Sequence, residues 1–143
     1  MTESRVYLDA NVFIYAVEGN PDVAGQLRDL FDLFRRAGVT SELTLAEVLP
    51  KASTVQKRVY LDLIVWSRIF DLQPVSRDIL IETAEYQKVA RMPKLPDAIH
   101  VVTAIRARCR MILSADTGLR LPEGHAAFLP NSANIARLIR ELS

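Results

Sequence analysis

The chain has 143 residues, half of them hydrophobic and 24% charged, which excludes a disordered tail and leads us to expect one globular domain spanning 1–143. Eighteen Lys and Arg stand against seventeen Asp and Glu, a formal charge of +1 that does not by itself mark a polyanion binder. No apolar run reaches bilayer-spanning length and the opening MTESRVYLD has no signal-peptide core, so membrane insertion and export are set aside and a cytoplasmic protein is expected.

Arg5 to Leu8 is a β-branched and apolar run that leads straight into Asp9 and reads as an opening strand. A helical turn through Phe13 to Val17 is ended by Gly19, Asn20 and Pro21. From Asp22, Val23, Leu27, Leu30, Phe31 and Phe34 recur at helical spacing, with Gly38 as the closing residue. Val39 to Ser41 is a second strand, and Leu45 to Leu49 a helix that stops near Pro50. Tyr60, Leu61, Ile64 and Val65 mark another helix, and Ile69 to Val75 a third strand. Ser76 is placed to cap a helix carried by Ile79, Leu80, Ala84 and Val89. KVARMPKLP breaks the pattern before a long apolar helix from Asp97 to Arg108 and a compact strand, Met111 to Ser114. A loop at Leu121 to Gly124, a weak strand at Ala126 to Leu129 and a helix from Asn131 to Leu142 complete the chain. Short apolar strands separated by helices predict a mostly parallel sheet covered on both faces. Cys109, the only cysteine, excludes an internal disulfide and reads as a buried, inert thiol.

Four acids stand out, and each has an ordinary structural explanation. Asp9 fits a turn or helix cap as well as a metal ligand, with Asn11 two residues on. Glu47, in TLAE, matches a capping box with Thr44. Asp97 suits a helix N-terminus, and His100, three residues later, reads as a packed or supporting residue beside it. Asp116 lies in the turn signature SADTG, where Ser114 and Thr117 could bond to it or assist a phosphate.

Their common position carries more weight than any one of them. Each acid follows a predicted strand or opens the helix after one, and in a parallel sheet those places share an edge. Carboxylates gathered there repel one another unless a cation neutralises them. Oxygen-only ligation points to Mg²⁺, with Mn²⁺ possible in its place, and to a phosphodiester substrate. With the four acids withdrawn, eighteen bases face thirteen acids, an excess of +5 that suits a polyanion. Lys88, Arg91 and Lys94 form an acid-free stretch before Asp97 that could contact substrate phosphates or be a solvated face. Tyr7, Phe13, Tyr15, Phe31, Phe34 and Trp66 fall at core-compatible positions, so no stacking platform is expected.

The strings VYLDANVFIY, SELTLAE, LPDAIHVVTA and ILSADTGL resemble, in order and spacing, the successive acidic motifs of the PIN-domain nucleases and, within them, the VapC-type toxins. The resemblance covers nearly the whole chain. It implies a doubly wound, three-layer α/β/α sandwich, commonly a homodimer. It also implies Asp9, Glu47, Asp97 and Asp116 as the acidic metal-site residues, with Asn11 and Ser114 as their usual companions. The expected activity is Mg²⁺-dependent cleavage of transfer, ribosomal or messenger RNA, held in check by a small cognate antitoxin. Leu119 stands where many members have an aromatic residue. A PIN nuclease of RNA processing, or a non-catalytic PIN-like metal- or RNA-binding protein, are the alternatives; metal-dependent turnover that stops with chelator separates enzyme from binding protein.

Overall fold

A computed structural model describes residues 5–143 of the chain. In chain order it contains β1 (Val6–Leu8), α1 (Ala10–Glu18), α2 (Pro21–Phe34), β2 (Gly38–Ser41), α3 (Leu43–Val48) and α4 (Thr54–Leu61). Helix α4 runs on into a π-helical turn, Asp62–Trp66. Then come β3 (Phe70–Gln73), α5 (Arg77–Ala90), α6 (Leu95–Arg106), β4 (Met111–Leu113), β5 (Ala126–Phe128) and α7 (Ser132–Leu142). The strands form one sheet in the order β3-β2-β1-β4-β5, and every pairing is parallel. The chain thus starts at the middle of the sheet and winds outward in both directions, the doubly wound α/β arrangement expected from the sequence.

Alternation along the central strands divides the core. Val6, Leu8 and Leu113 turn to one face, where Phe13, Phe31, Phe34, Tyr60, Ile64, Ile135 and Leu138 bury them under α1, α2, α4 and α7. Tyr7, Val39 and Ile112 turn to the other, against Ala104 and Cys109. There α6 lies on the sheet and α5 packs on α6 through Ile79, Ile99 and Val102. Because β1 is buried on both faces, it reads as an unbroken apolar run. No described helix is long and apolar enough to cross a membrane.

Several local expectations give way to tertiary packing. Helix α2 ends at Phe34 with Arg35 as a left-handed cap, and Gly38 opens β2 instead of closing the helix. Gly38 answers a different need: a Cβ there would lie 2.5 Å from the ring of Phe34. The capping box expected at Thr44 and Glu47 does not form. Helix α3 already begins at Leu43 without a side-chain cap, Thr44 Oγ1 bonds Thr40 Oγ1 at 2.8 Å, and a capping box instead joins Ser53 and Gln56 at the start of α4. Helix α6 begins at Leu95, two residues before Asp97, with Pro96 in its first turn. Two aromatics expected in the core are not there: Trp66 is 69% exposed and Tyr15 37%. Cys109 is fully buried, and burial pushes its thiol up to about 11.

Candidate active site

The edge reached by the C-terminal ends of the strands gathers the acids. β1 delivers Asp9, whose main-chain N–H donates to Leu113 O at 3.1 Å and so lies beside the end of β4. Asp9 caps α1, accepting from Ala10 N–H at 2.8 Å through Oδ1, while Oδ2 accepts from Ser114 Oγ at 2.7 Å. The helix cap and the candidate site residue are therefore the same carboxylate, and it is 95% buried. Ser114 Oγ in turn accepts from Asp116 N–H at 3.0 Å, and Asn11 Oδ1 accepts from Ala115 N–H at 3.0 Å. Asp116 turns its chain through a bond from Gly118 N–H to Oδ1 at 2.8 Å. Asn11 and Ser114 thus tie the loop carrying Asp116 to the turn carrying Asp9. Thr117 is exposed, and among the described residues its side chain makes no hydrogen bond.

Glu47 comes from α3, which follows β2, and is held from across the site. The buried His100 places Nε2 at 2.5 Å from Glu47 Oε1 and 3.4 Å from Asp9 Oδ1, and its Nδ1 at 2.6 Å from Tyr7 Oη. One ligand atom from each of Asp9, Glu47 and His100 falls within 4.8 Å of the others. Burial opposes a charged imidazole, but the hydrogen bond to Glu47 and the charges of Asp9, Glu47 and Asp97 outweigh it and leave His100 more easily protonated than usual. A ring engaged at both nitrogens is fixed in orientation and fixes Glu47 in turn. The sequence showed His100 beside Asp97; its bond to a glutamate 53 residues away had no local signal.

Asp97, on the first turn of α6, has its carboxyl pushed up to about 6 by burial and by the neighbouring Asp116 and Asp9 carboxylates, against a smaller pull from Lys94. Asp97, Asp116 and Asp9 therefore belong to one electrostatic cluster, which His100 joins to Glu47. Their donors are oxygens, on a buried Asp9, half-buried Asp97 and Asp116 and an exposed Glu47, the set a hard divalent cation takes and a thiophilic metal does not.

Lys88, Arg91 and Lys94 are exposed. Lys88 and Arg91 line an open hollow of about 620 Å³ with Gln87, Met92 and Pro93. Arg120, which the sequence reading missed, completes that basic wall and donates to Ala90 O at 3.2 Å. Leu119 packs against Met92, Ala98 and Val101, so an aliphatic side chain fastens the loop after Asp116 to α6.

The model of the PIN domain family matches residues 6–123. No curated protein matches the chain. Among solved structures, the chain is similar to a toxin-antitoxin complex from Klebsiella pneumoniae, with a TM-score of 0.66 and 21% identity over 90% of this chain and 98% of the other. It is also similar to VapBC2 from Rickettsia felis, solved with a DNA fragment from its promoter: TM-score 0.65, 17% identity, 87% of this chain and 97% of that one. FitAcB from Neisseria gonorrhoeae gives a TM-score of 0.60 and 19% identity over 87% and 97% of the two chains. At such identities these likenesses speak for the fold.

Proposed function

The chain belongs to the PIN domain family, and on that premise we propose that it is a metal-dependent endoribonuclease acting as the toxin of a toxin-antitoxin pair. The observation that carries the reading is the convergence of Asp9, Glu47, Asp97 and Asp116, with Asp97 pushed up by burial and by the Asp116 and Asp9 carboxylates, and Glu47 brought beside Asp9 at His100. Such repulsion costs stability unless a cation offsets it, and the site keeps it.

Asp9, Asp97 and Asp116 would hold Mg²⁺ or Mn²⁺, which would neutralise the cluster and stabilise charge on the phosphoryl oxygens. The remaining roles fall to the chain itself. Glu47, oriented by His100, takes a proton from the attacking water. The water oxygen bonds to phosphorus as the bond to the leaving ribose oxygen breaks in line, and that oxygen collects a proton from solvent. Lys94, which lowers the Asp97 carboxyl, is near enough to meet a phosphate, and the hollow of Lys88, Arg91 and Arg120 can receive the next part of the backbone. Asn11 and Ser114 hold the carboxylates in place; Thr117 is free to face the substrate.

The toxin assignment draws support from fold likeness to a chain of a toxin-antitoxin complex and from the resemblance of the acidic motifs to VapC-type toxins. It brings with it a small antitoxin as partner, a homodimer and a cytoplasmic setting. The test is cleavage of a structured RNA with Mg²⁺ or Mn²⁺, with chelator, and by Asp9→Asn. Cleavage that survives chelator, or that the folded variant retains, sinks the assignment. Induced expression in a bacterium should arrest growth for the wild type and not for Asp9→Asn, and a small partner protein should suppress the arrest.

A further inference from the structure

Parallel strands bring the loops that lead into them to one edge of the sheet, opposite the acids. Residues 35–37 lead into β2, 67–69 into β3 and 107–110 into β4. These segments hold Arg35, Arg36, Arg68, Arg108 and Arg110, and no acid. The strand register sets them side by side, with Gly38 opposite both Val6 and Phe70, and Val6 opposite Met111. Arg36 N–H donates to Ile69 O at 2.8 Å, joining two of the loops directly. Three strand spacings separate β3 from β4, so the arginines span roughly 14 Å.

All five side chains are exposed, and among the described residues none has an acidic partner. Arg5, Arg106 and Arg137, by contrast, each pair with an acid. Trp66, 69% exposed, lies two residues before Arg68. Four of the arginines hold left-handed backbone, at φ 43° (Arg35), 75° (Arg36), 59° (Arg68) and 63° (Arg108). Glycine or asparagine takes that conformation with less strain. Helix ends favour cations, but they favour glycine too. Arg110 is next to β4 and past the end of α6, so the helix ends do not account for the whole set.

We propose that this arginine edge is a second docking face, for the phosphodiester backbone of folded RNA, with Trp66 as a platform for an unpaired base. The guanidinium fork matches phosphate oxygens, and an exposed indole stacks on any base. Helix α6, with its 12 residues, spans about 18 Å between the two edges, a distance a folded RNA covers and a short oligonucleotide does not. The inference rests on the RNA reading proposed above.

The test combines Arg36→Asn, Arg68→Asn and Arg108→Asn, since asparagine accepts left-handed backbone and removes the charge. Binding of a hairpin RNA and of a short single-stranded oligonucleotide is followed by fluorescence anisotropy in chelator over a salt series, and cleavage of both RNAs is followed in Mg²⁺. Hairpin affinity should fall about tenfold or more, with the salt slope smaller by roughly 2 from three lost contacts at about 0.7 each. Binding and cleavage of the oligonucleotide should hold. Arg110→Gln, outside the strained positions, should give a smaller drop of the same kind should the triple variant not fold. Unchanged hairpin binding, the outcome if the edge serves an acidic protein instead, overturns the docking face while wild-type cleavage leaves the nuclease reading intact. Lost hairpin binding with no metal-dependent cleavage by the wild type does the reverse, and absence of hairpin binding by the wild type overturns the face outright.

Discussion

Both ring nitrogens of His100 are taken by protein groups, Tyr7 Oη and Glu47 Oε1, so its loss should be felt through Glu47. Replacing a supporting partner of this kind costs about 10–100-fold in activity or metal affinity. His100→Gln should therefore lower kcat by about that factor with KM little changed, because the glutamate proposed to take the proton would lose its orientation while the proposed phosphate contacts would stay. An equal rise in KM would point to a general loss of structure. Asp97→Asn tests a different balance. Burial and the carboxylates of Asp116 and Asp9 work against a charged Asp97, and a neutral amide removes the repulsion together with the proposed ligand. The variant should be inactive yet melt at a higher temperature than the wild type in chelator. A lower melting temperature would mean that the carboxylate contributes more to the fold than its neighbours cost.

Among the elements, β2 shows how a sequence pattern and a packing need can share one residue. Gly38 follows an amphipathic helix and looks like its stop signal, but Phe34 has turned its ring onto the position where a Cβ would stand. Phe34 is buried among Phe31 and Phe70, so it has little room to yield. Gly38→Ala should cost about 1–3 kcal/mol, read as a shift of the denaturation midpoint. A neutral result would mean that the aromatic cluster repacks freely. The strands and most helices were legible because apolar periodicity records burial, as in the unbroken VYL of β1. The gathering of acids was legible too, since parallel strands leave few places for residues that follow them. What escaped depends on partners distant in sequence. TLAE satisfies the local rule for a capping box, yet His100 claims Glu47 and Thr40 claims Thr44. The π-helical turn at Asp62–Trp66 carries no compositional mark, and it leaves Ile64 buried and Trp66 in solvent.

At the scale of the molecule, the sheet gathers four acids at one edge and five exposed arginines at the other, and a cation taken up by the acids should register in stability. A cation that binds the folded cluster and not the unfolded chain raises stability by about 2.7 kcal/mol at roughly 100 times its Kd. For a chain of this size that amounts to several degrees in melting temperature. The pH dependence has a definite sign. Asp97 moves from 3.8 to about 6 on folding, so the folded state holds its proton more tightly. In chelator its contribution to stability grows as pH falls through about 6 and is complete below about 4. Protons and Mg²⁺ then relieve the same repulsion, and each must displace the other. The Mg²⁺-induced rise in melting temperature should be large at about pH 7 and much smaller at about pH 5. Asp97→Asn should flatten that difference, since it removes the group for which proton and cation compete. Differential scanning calorimetry with and without Mg²⁺ at the two pH values measures both. An equal rise at both would mean that the cation binds away from Asp97, leaving Asp9 and Asp116 to hold it without the helix α6 acid.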